Sequence, residues 1–443
     1  MKQTDKKYGL FTAITMIIGV CIGSGIFFKS DNILIATNGN ILLGVFLFVL
    51  AALAIIFGSL TIGQLASRSE NPGGLITYAE DFIGEKMAAR FGWFQLFMSY
   101  PAIIVVVAAV VGVYINILFH LEASLEVEML LGFGFLSLCF LYNTFSPWFG
   151  KFFQNSSTIV KIIPLALLGL LGMIYGDPIA GLTSMSFQDI ATLSWISALG
   201  PIAYSYDGWI VSTSIAHEVK DSKKTLPRAL TIAPILILLI YVTYFVGISS
   251  YIGPETVMQL GDRHVSEAAR QLLGTPFSKA ITVFVIISVM GTVNGLVTGY
   301  IRIPYSLAIR KNMIPFSFYL KKMDDRHQIP IHSSLCAYGI CTLWYVIHYF
   351  TSKFGLLPNS DVSEISIAIS YLLYIILYYK VYELYRKKEI TSRFKGIICP
   401  ILGTIGSLII LSGAIQNPLF IFYFILCGII LYLGGNYYQR HAL

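Results

Sequence analysis

Two apolar stretches long enough to cross a bilayer are interrupted near their middles: Gly23-Ser24-Gly25 within Tyr8 to Ile35, and Tyr206-Asp207-Gly208 within Ala191 to Ile215. Main chain at such a break cannot complete its own helical hydrogen bonds. In hydrocarbon every unsatisfied group costs several kcal/mol, so broken backbone persists only where protein buries it or where it borders a watery cavity that holds a ligand. The alternative for either cluster is a small-residue surface that lets two helices approach closely. Breaks at matching places in two halves point instead to the central site of a solute path.

Composition supports a membrane fold. Of 443 residues, 56% are apolar and 12% charged, and the mean hydropathy is +0.74, outside the range of soluble domains. With roughly 20 apolar residues needed per crossing, the sequence predicts an all-α integral membrane protein with about twelve transmembrane helices in one domain, 1–443. The predicted spans are Tyr8–Ala36, Ile41–Ala66, Phe91–Phe119, Met129–Phe145, Ser156–Tyr175, Ala191–His217, Ala229–Tyr251, Lys279–Ile309, His332–Phe350, Ser363–Tyr382, Gly396–Ile415 and Leu419–Tyr437. The broken spans are the first and the sixth, which is the offset of a five-plus-five inverted repeat: 8–175, then 191–382, with two appended helices at 396–437. The first apolar stretch runs too long for a cleaved signal and lacks a small-residue exit site, so it is expected to be a retained anchor.

Lys and Arg in the loops set the orientation. With the N-terminus inside, 23 of the 30 fall on the cytoplasmic side and four (Arg263, Arg270, Lys279, Lys353) on the other, while Lys29, Lys161 and Arg302 lie within helices. Both termini are expected in the cytoplasm. The net charge of +7 thus follows from topology, and no basic soluble surface is left to bind nucleic acid. The six cysteines, Cys21, Cys139, Cys336, Cys341, Cys399 and Cys427, all fall in predicted spans, where they are expected to pack as small apolar residues. Asn71 to Trp93 reads as a turn-rich segment along the cytoplasmic interface, and Arg310 to Pro330, with Phe316, Phe318 and Tyr319, either as a second surface segment or as a solvated linker.

The chemistry of the breaks is complementary. Gly23, Ser24 and Gly25 free amide N–H groups where a half-helix starts near Ile26, a terminus suited to a carboxylate. Near Tyr204 and Ser205 a half-helix ends and presents carbonyls to an ammonium. Together they describe a site for an α-amino acid. Tyr204 is the expected gate, and Trp209 reads better as a packing residue. Asp207 is placed to cap the following half-helix, with direct contact to substrate as the alternative.

Lys161 in the fifth span is costly unless satisfied. Its ammonium is expected where a sodium ion would sit, between spans one, five and eight, against carbonyls near Cys21 or Ile22 and against Thr292 or Asn294. The alternative is snorkelling to the headgroups, and Arg302 is expected to reach the inner interface. No metal-ligand spacing, phosphate loop or nucleophile elbow stands out, so no enzyme, catalytic residue, metal or cofactor is expected.

The strings Ile18-Gly19-Val20-Cys21-Ile22-Gly23-Ser24-Gly25-Ile26-Phe27 and Ala203-Tyr204-Ser205-Tyr206-Asp207-Gly208-Trp209 resemble the amino acid-polyamine-organocation superfamily, and within it bacterial members of the L-amino acid transporter family. Pro72-Gly73-Gly74, Lys161, Glu218 to Pro227, Asn294-Gly295 and Arg302 to Pro315 extend the resemblance over nearly the whole chain. The resemblance implies a LeuT-like inverted-repeat fold, alternating access and sodium-independent exchange. It implies that Gly23, Ser24 and Gly25 meet the carboxylate, that Cys21, Tyr204, Ser205 and Asp207 offer main chain to the amine, that Tyr204 gates, that Lys161 replaces sodium, and that Tyr241 belongs to the substrate cavity.

Three features depart from the family. Asp207 stands where many animal relatives have glycine, which leaves recognition of cationic side chains open. The loop His120 to Glu128 has no cysteine, so no disulfide-linked heavy chain is expected. Arg310-Lys311-Asn312 replaces an acidic-glycine pair.

The resulting expectation is a plasma-membrane, multi-pass exchanger of small neutral L-amino acids of the Ala, Ser, Thr, Cys class, similar to alanine-serine-cysteine or serine/threonine exchangers, with membrane lipid as its surroundings. A proton-coupled symporter, a cationic amino acid or polyamine antiporter and a non-transporting amino acid sensor are the alternatives.

Overall fold

The computed structural model describes residues 9–23, 25–69, 74–182, 192–210, 219–324 and 330–441, and these contain helices and no strand. The main helices are α1 (Leu10–Cys21), α2 (Gly25–Ala36), α3 (Ile41–Ala66), α4 (Gly74–Phe82), α5 (Glu85–Phe119), α6 (Leu125–Phe145), α7 (Pro147–Tyr175) and α8 (Leu199–Tyr206). They continue with α9 (Ser222–Ile252), α10 (His264–Leu273), α11 (Thr275–Tyr300), α12 (Ile331–Lys353), α13 (Val362–Arg386), α14 (Phe394–Ile415) and α15 (Phe420–His441). Among the described residues, eight stretches, α3, α5, α6, Lys224–Ile252, Thr275–Ile309, α13, α14 and α15, are long and apolar enough to cross a membrane. Leu10–Gly19 and Val160–Tyr175 are shorter apolar helical stretches.

Most helices run further than the apolar windows predicted. The span expected from Phe91 begins at Glu85, the one from Ser156 at Pro147, and the one from Ala229 at Ser222. Charged residues end a hydropathy window but are good helix formers, so the backbone continues past the hydrocarbon. Of the sixth predicted span, a short 3-10 turn at Ser194–Ala198 leads into α8, and residues 211–218 lie outside the described residues.

Where helices bend, proline removes a backbone donor. Pro101 cannot give a hydrogen bond to the Phe97 carbonyl, and a π turn, Gln95–Ser99, precedes it within α5. The Trp344 indole of α12 donates to that freed carbonyl at 2.8 Å. Pro400 and the π turn Phe394–Ile398 repeat the arrangement in α14.

Small residues draw the bundle together at its centre. Gly169 and Gly172 of α7, and Gly176 that caps it, face Tyr244, Gly247 and Ser250 of α9, and a methyl group on Gly172 would lie 2.5 Å from the Gly247 carbonyl carbon. Close approach of this kind gives membrane helices the packing that hydrophobicity alone cannot supply. Helix α9 also packs on α1 and α3, α11 packs on α5 and α7, and α2 packs directly on α8. All six cysteines are free, and all but Cys336 are buried. The first six residues of α4 are buried in protein, so this segment packs into the bundle instead of lying along a surface. Phe316, Phe318 and Tyr319 are exposed, with Lys322 over the Phe318 ring.

Candidate functional site

The first expected interruption separates two helices, and at the second a helix ends where the sequence placed the break. Helix α1 ends at Cys21, where the Ile22 N–H still reaches back to Ile18 O at 2.8 Å while Ile22 itself turns extended. Helix α2 starts at Gly25, one residue earlier than expected, so its first-turn N–H groups are free of intrahelical partners. Ser24, expected to meet a carboxylate, lies outside the described residues. Helix α8 closes with the Asp207 N–H on Tyr204 O at 3.1 Å, after which Asp207 is extended and Gly208 takes φ +100°, a conformation that favours glycine. The half-helix that Asp207 was expected to cap falls beyond the described residues.

The two breaks touch. A methyl group on Gly25 would stand 2.8 Å from the Ser205 Cα, so only hydrogen fits between the two main chains. Tyr241 of α9 stands behind them, its hydroxyl 2.7 Å from the Ser205 carbonyl and 3.1 Å from the Cys21 carbonyl. One O–H proton is thereby shared between carbonyls of both breaks.

A cavity of about 150 Å³ opens beside them, bordered by Cys21, Gly23, Gly25, Lys161, Tyr204, Ser205, Asp207 and Thr292. It extends past Gln95, Ser99 and Tyr100 of α5 toward Leu75 of α4 and Phe91. On the opposite side it is closed. There Tyr204, buried, meets Phe28 of α2 edge-on, with ring centres 5.3 Å apart. Trp209 is buried against Tyr374 at 5.5 Å, the packing role expected for it.

Lys161 is 1% exposed, and its ammonium donates to Gly19 O at 3.3 Å. It is enclosed by protein and does not snorkel, and its partner carbonyl lies two residues before the expected Cys21. Thr292 faces Gly23, at 2.9 Å from where a Cβ would be. Asn294 does not join them. Its amide donates to Gly150 O at 2.9 Å and Gln154 Oε1 at 3.0 Å and its oxygen accepts from Asn143 at 2.8 Å. It therefore fastens α11 to α6 and α7 away from the ammonium. Arg302 is exposed at the end of α11, where the helix bends before Ile303.

Asp207 borders the cavity near Tyr100 and Tyr374, and among the described residues no cationic side chain pairs with it. Lys29, by contrast, is buried and paired with Asp361, which caps α13, and with Glu364 in its first turn. Neither Glu364 nor its partnership with Lys29 was anticipated. The available signals were a lysine four residues beyond Gly25 and a glutamate at the head of an apolar span.

The arrangement offers N–H groups to an anion and carbonyls to a cation a few ångströms apart. Among the described residues no cluster of His, Cys, Asp or Glu has the geometry to hold a metal ion.

Comparison with known proteins agrees. A family model described as amino acid permease matches residues 8–436. The chain is 28% identical over 420 residues to the serine/threonine exchanger SteT of Bacillus subtilis, covering 93% of this chain and 91% of the relative. It is 25% identical over 451 residues to the b(0,+)-type amino acid transporter 1 of Mus musculus, covering 98% and 89%. With the cystine/glutamate transporter of Homo sapiens it shares 24% over 389 residues, covering 87% and 76%.

Proposed function

This chain belongs to the amino acid permease family, and from that premise we propose that it exchanges small neutral L-amino acids of the Ala, Ser, Thr, Cys class across the plasma membrane by alternating access, without sodium. That it is a membrane transporter for amino acids and not an enzyme follows from the family itself.

The observation that carries the finer reading is the meeting of the two breaks at one cavity. Free N–H groups at the start of α2 suit the substrate carboxylate, and the carbonyls of Cys21 and of the end of α8 suit its ammonium. Charge-assisted bonds of this kind contribute about 1.5 to 3 kcal/mol each. The buried Lys161 ammonium, bonded to the carbonyl of Gly19, supplies the positive charge that a sodium ion would bring. The serine/threonine exchanger from Bacillus subtilis supports the same substrate class.

Twelve spans in a five-plus-five inverted repeat complete this reading, supported by the offset of five spans between the breaks. The excess of Lys and Arg on one side assigns both termini to the cytoplasm. With that assignment the cavity reaches toward the inside, and α2 closes the outside. The loop from His120 to Glu128 contains no cysteine, in keeping with function without a disulfide-linked partner.

A second reading has one observation in its favour. Asp207 faces the cavity without a cationic partner among the described residues, which suits a substrate carrying a cationic side chain.

Counterflow in proteoliposomes tests the proposal. Labelled serine should accumulate only when an unlabelled small neutral amino acid is loaded inside, equally well in sodium and in choline buffer. Uptake that ignores the internal amino acid and follows a pH gradient would overturn it in favour of proton symport. Competition by lysine or arginine in preference to alanine would favour the second reading.

A further inference from the structure

Three charged side chains are buried together on the closed side of the cavity. Lys29 of α2 donates to Asp361 at 2.7 Å and also to Glu364 of α13. Asp361 caps α13 by accepting from the Ser363 N–H at 2.8 Å. Glu364 accepts from Ser360 Oγ at 2.8 Å and stands against Gly200 of α8, where a methyl group would lie 2.7 Å from its Oε2. The Lys29 ammonium is also 5.2 Å from the centre of the Tyr204 ring and 5.4 Å from that of Phe28. One cation thus joins α2 to α13, Glu364 touches α8, and the aromatic pair over the cavity lies against that same cation.

The geometry points to Lys29, Asp361 and Glu364 as an electrostatic latch: positioning residues that hold the Tyr204 and Phe28 lid shut and set how often the cavity opens on the α2 side. The inference rests on the alternating-access reading. No solute leaves on this side unless α2, α8 and α13 separate, and their separation breaks these bonds. A buried ion network suits a reversible closure. Closed, it is desolvated and tight, and opened, its charges regain water, so neither state is stranded. Packed interfaces of this kind have two discrete arrangements and not a continuum.

The test uses oriented vesicles carrying protein in which Cys21, at the cavity, is the only cysteine, the other five being alanine. A membrane-impermeant methanethiosulfonate is applied from the α2 face. The triple variant K29M/D361N/E364Q leaves no buried charge alone, and Glu364→Gln by itself keeps the Lys29 to Asp361 pair, so a result remains if the triple does not fold. The expected result is Cys21 modification about tenfold faster in the triple variant, as an equilibrium moves tenfold for each 1.4 kcal/mol or so. The single variant should show a smaller acceleration. KM for substrate presented from the opposite face should stay within about twofold in both. Folded variants that react at the unmodified rate, or that change KM with no change in Cys21 reactivity, would overturn the latch. Loss of the exchanger reading would show separately, as parent protein that passes no amino acid while its Cys21 reactivity still answers to these substitutions.

Discussion

The hydroxyl of Tyr241 lies 2.7 Å from the carbonyl oxygen of Ser205, tying a long unbroken helix to main chain that has left its own. The same oxygen is 3.1 Å from the Cys21 carbonyl. Tyr241→Phe removes this link while keeping the ring against Tyr206 and Phe48, whose centres lie 5.2 Å and 6.1 Å away. Leaving a buried acceptor unpaired costs about 1 to 3 kcal/mol, so the initial rate of serine exchange should fall about tenfold or more. The thermal midpoint should fall with it by about a few degrees. Reconstituted exchange at the unmodified rate would show that the link does not matter to transport.

Gly25 and Gly23 should respond differently to the same substitution. In Gly25→Ala the new methyl group meets the Ser205 Cα at 2.8 Å, backbone that cannot turn aside. In Gly23→Ala it meets Thr292 Oγ1 at 2.9 Å, part of a side chain. Overpacking costs about 1 to 3 kcal/mol. Exchange should therefore be lost in Gly25→Ala, whereas Gly23→Ala should lose part of its activity and regain it when Thr292→Ala is added. Uptake normalised to surface protein separates these outcomes, and equal behaviour of the two alanines would contradict the contact between the breaks.

The breaks were legible because glycine pairs and a lone aspartate are costly in an apolar run, and that cost is local. Lys161 was legible for the same reason. Asn294 was not, because a span assignment gives depth but not direction, and its side chain turns to Gly150 and Gln154 instead of toward the ammonium. Lys29 registered only as a charge inside a helix. Its partners Asp361 and Glu364 lie 332 and 335 positions further on, a separation at which one sequence carries no pairing signal. The starts at Glu85 and Ser222 were missed because hydropathy reports where lipid ends, whereas helix propensity and capping decide where the backbone stops.

Lys161→Ala should sharply reduce sodium-independent exchange. The ammonium is 1% exposed and bonds to Gly19 O at 3.3 Å, and its Cε would be 3.4 Å from a methyl group on Gly291, so it occupies a tight site between α1, α7 and α11. Removing it leaves a carbonyl-lined gap with no positive charge. Exchange should fall at least about tenfold, measured by counterflow in choline buffer. Partial recovery in sodium buffer would identify the gap as a cation site. Full activity in choline would remove this residue from the mechanism.

Asp262 provides a pH signature outside the spans. Its burial, and then the neighbouring Asp31 carboxylate, push its carboxyl up to about 7. Between about pH 4 and that value the folded chain holds a proton that the unfolded chain has released. Stability falls with rising pH wherever the folded state binds more protons, so this contribution declines from about pH 4 and is gone above about pH 7. His264 acts in the opposite sense: burial lowers its imidazole, against the pull of Asp31 and of the Gly261 carbonyl, so its contribution is present above the ordinary value of about 6.5 and is lost as pH falls. Comparison with Asp262→Asn removes this carboxyl together with its coupling to Asp31. The thermal midpoint of the asparagine variant should rise relative to the parent protein from pH 5 to pH 7 and stay level above that, while its own midpoint still drops toward acid through His264. Parallel midpoints for the two proteins from pH 5 to pH 8 would show that Asp262 is already ionised across the range.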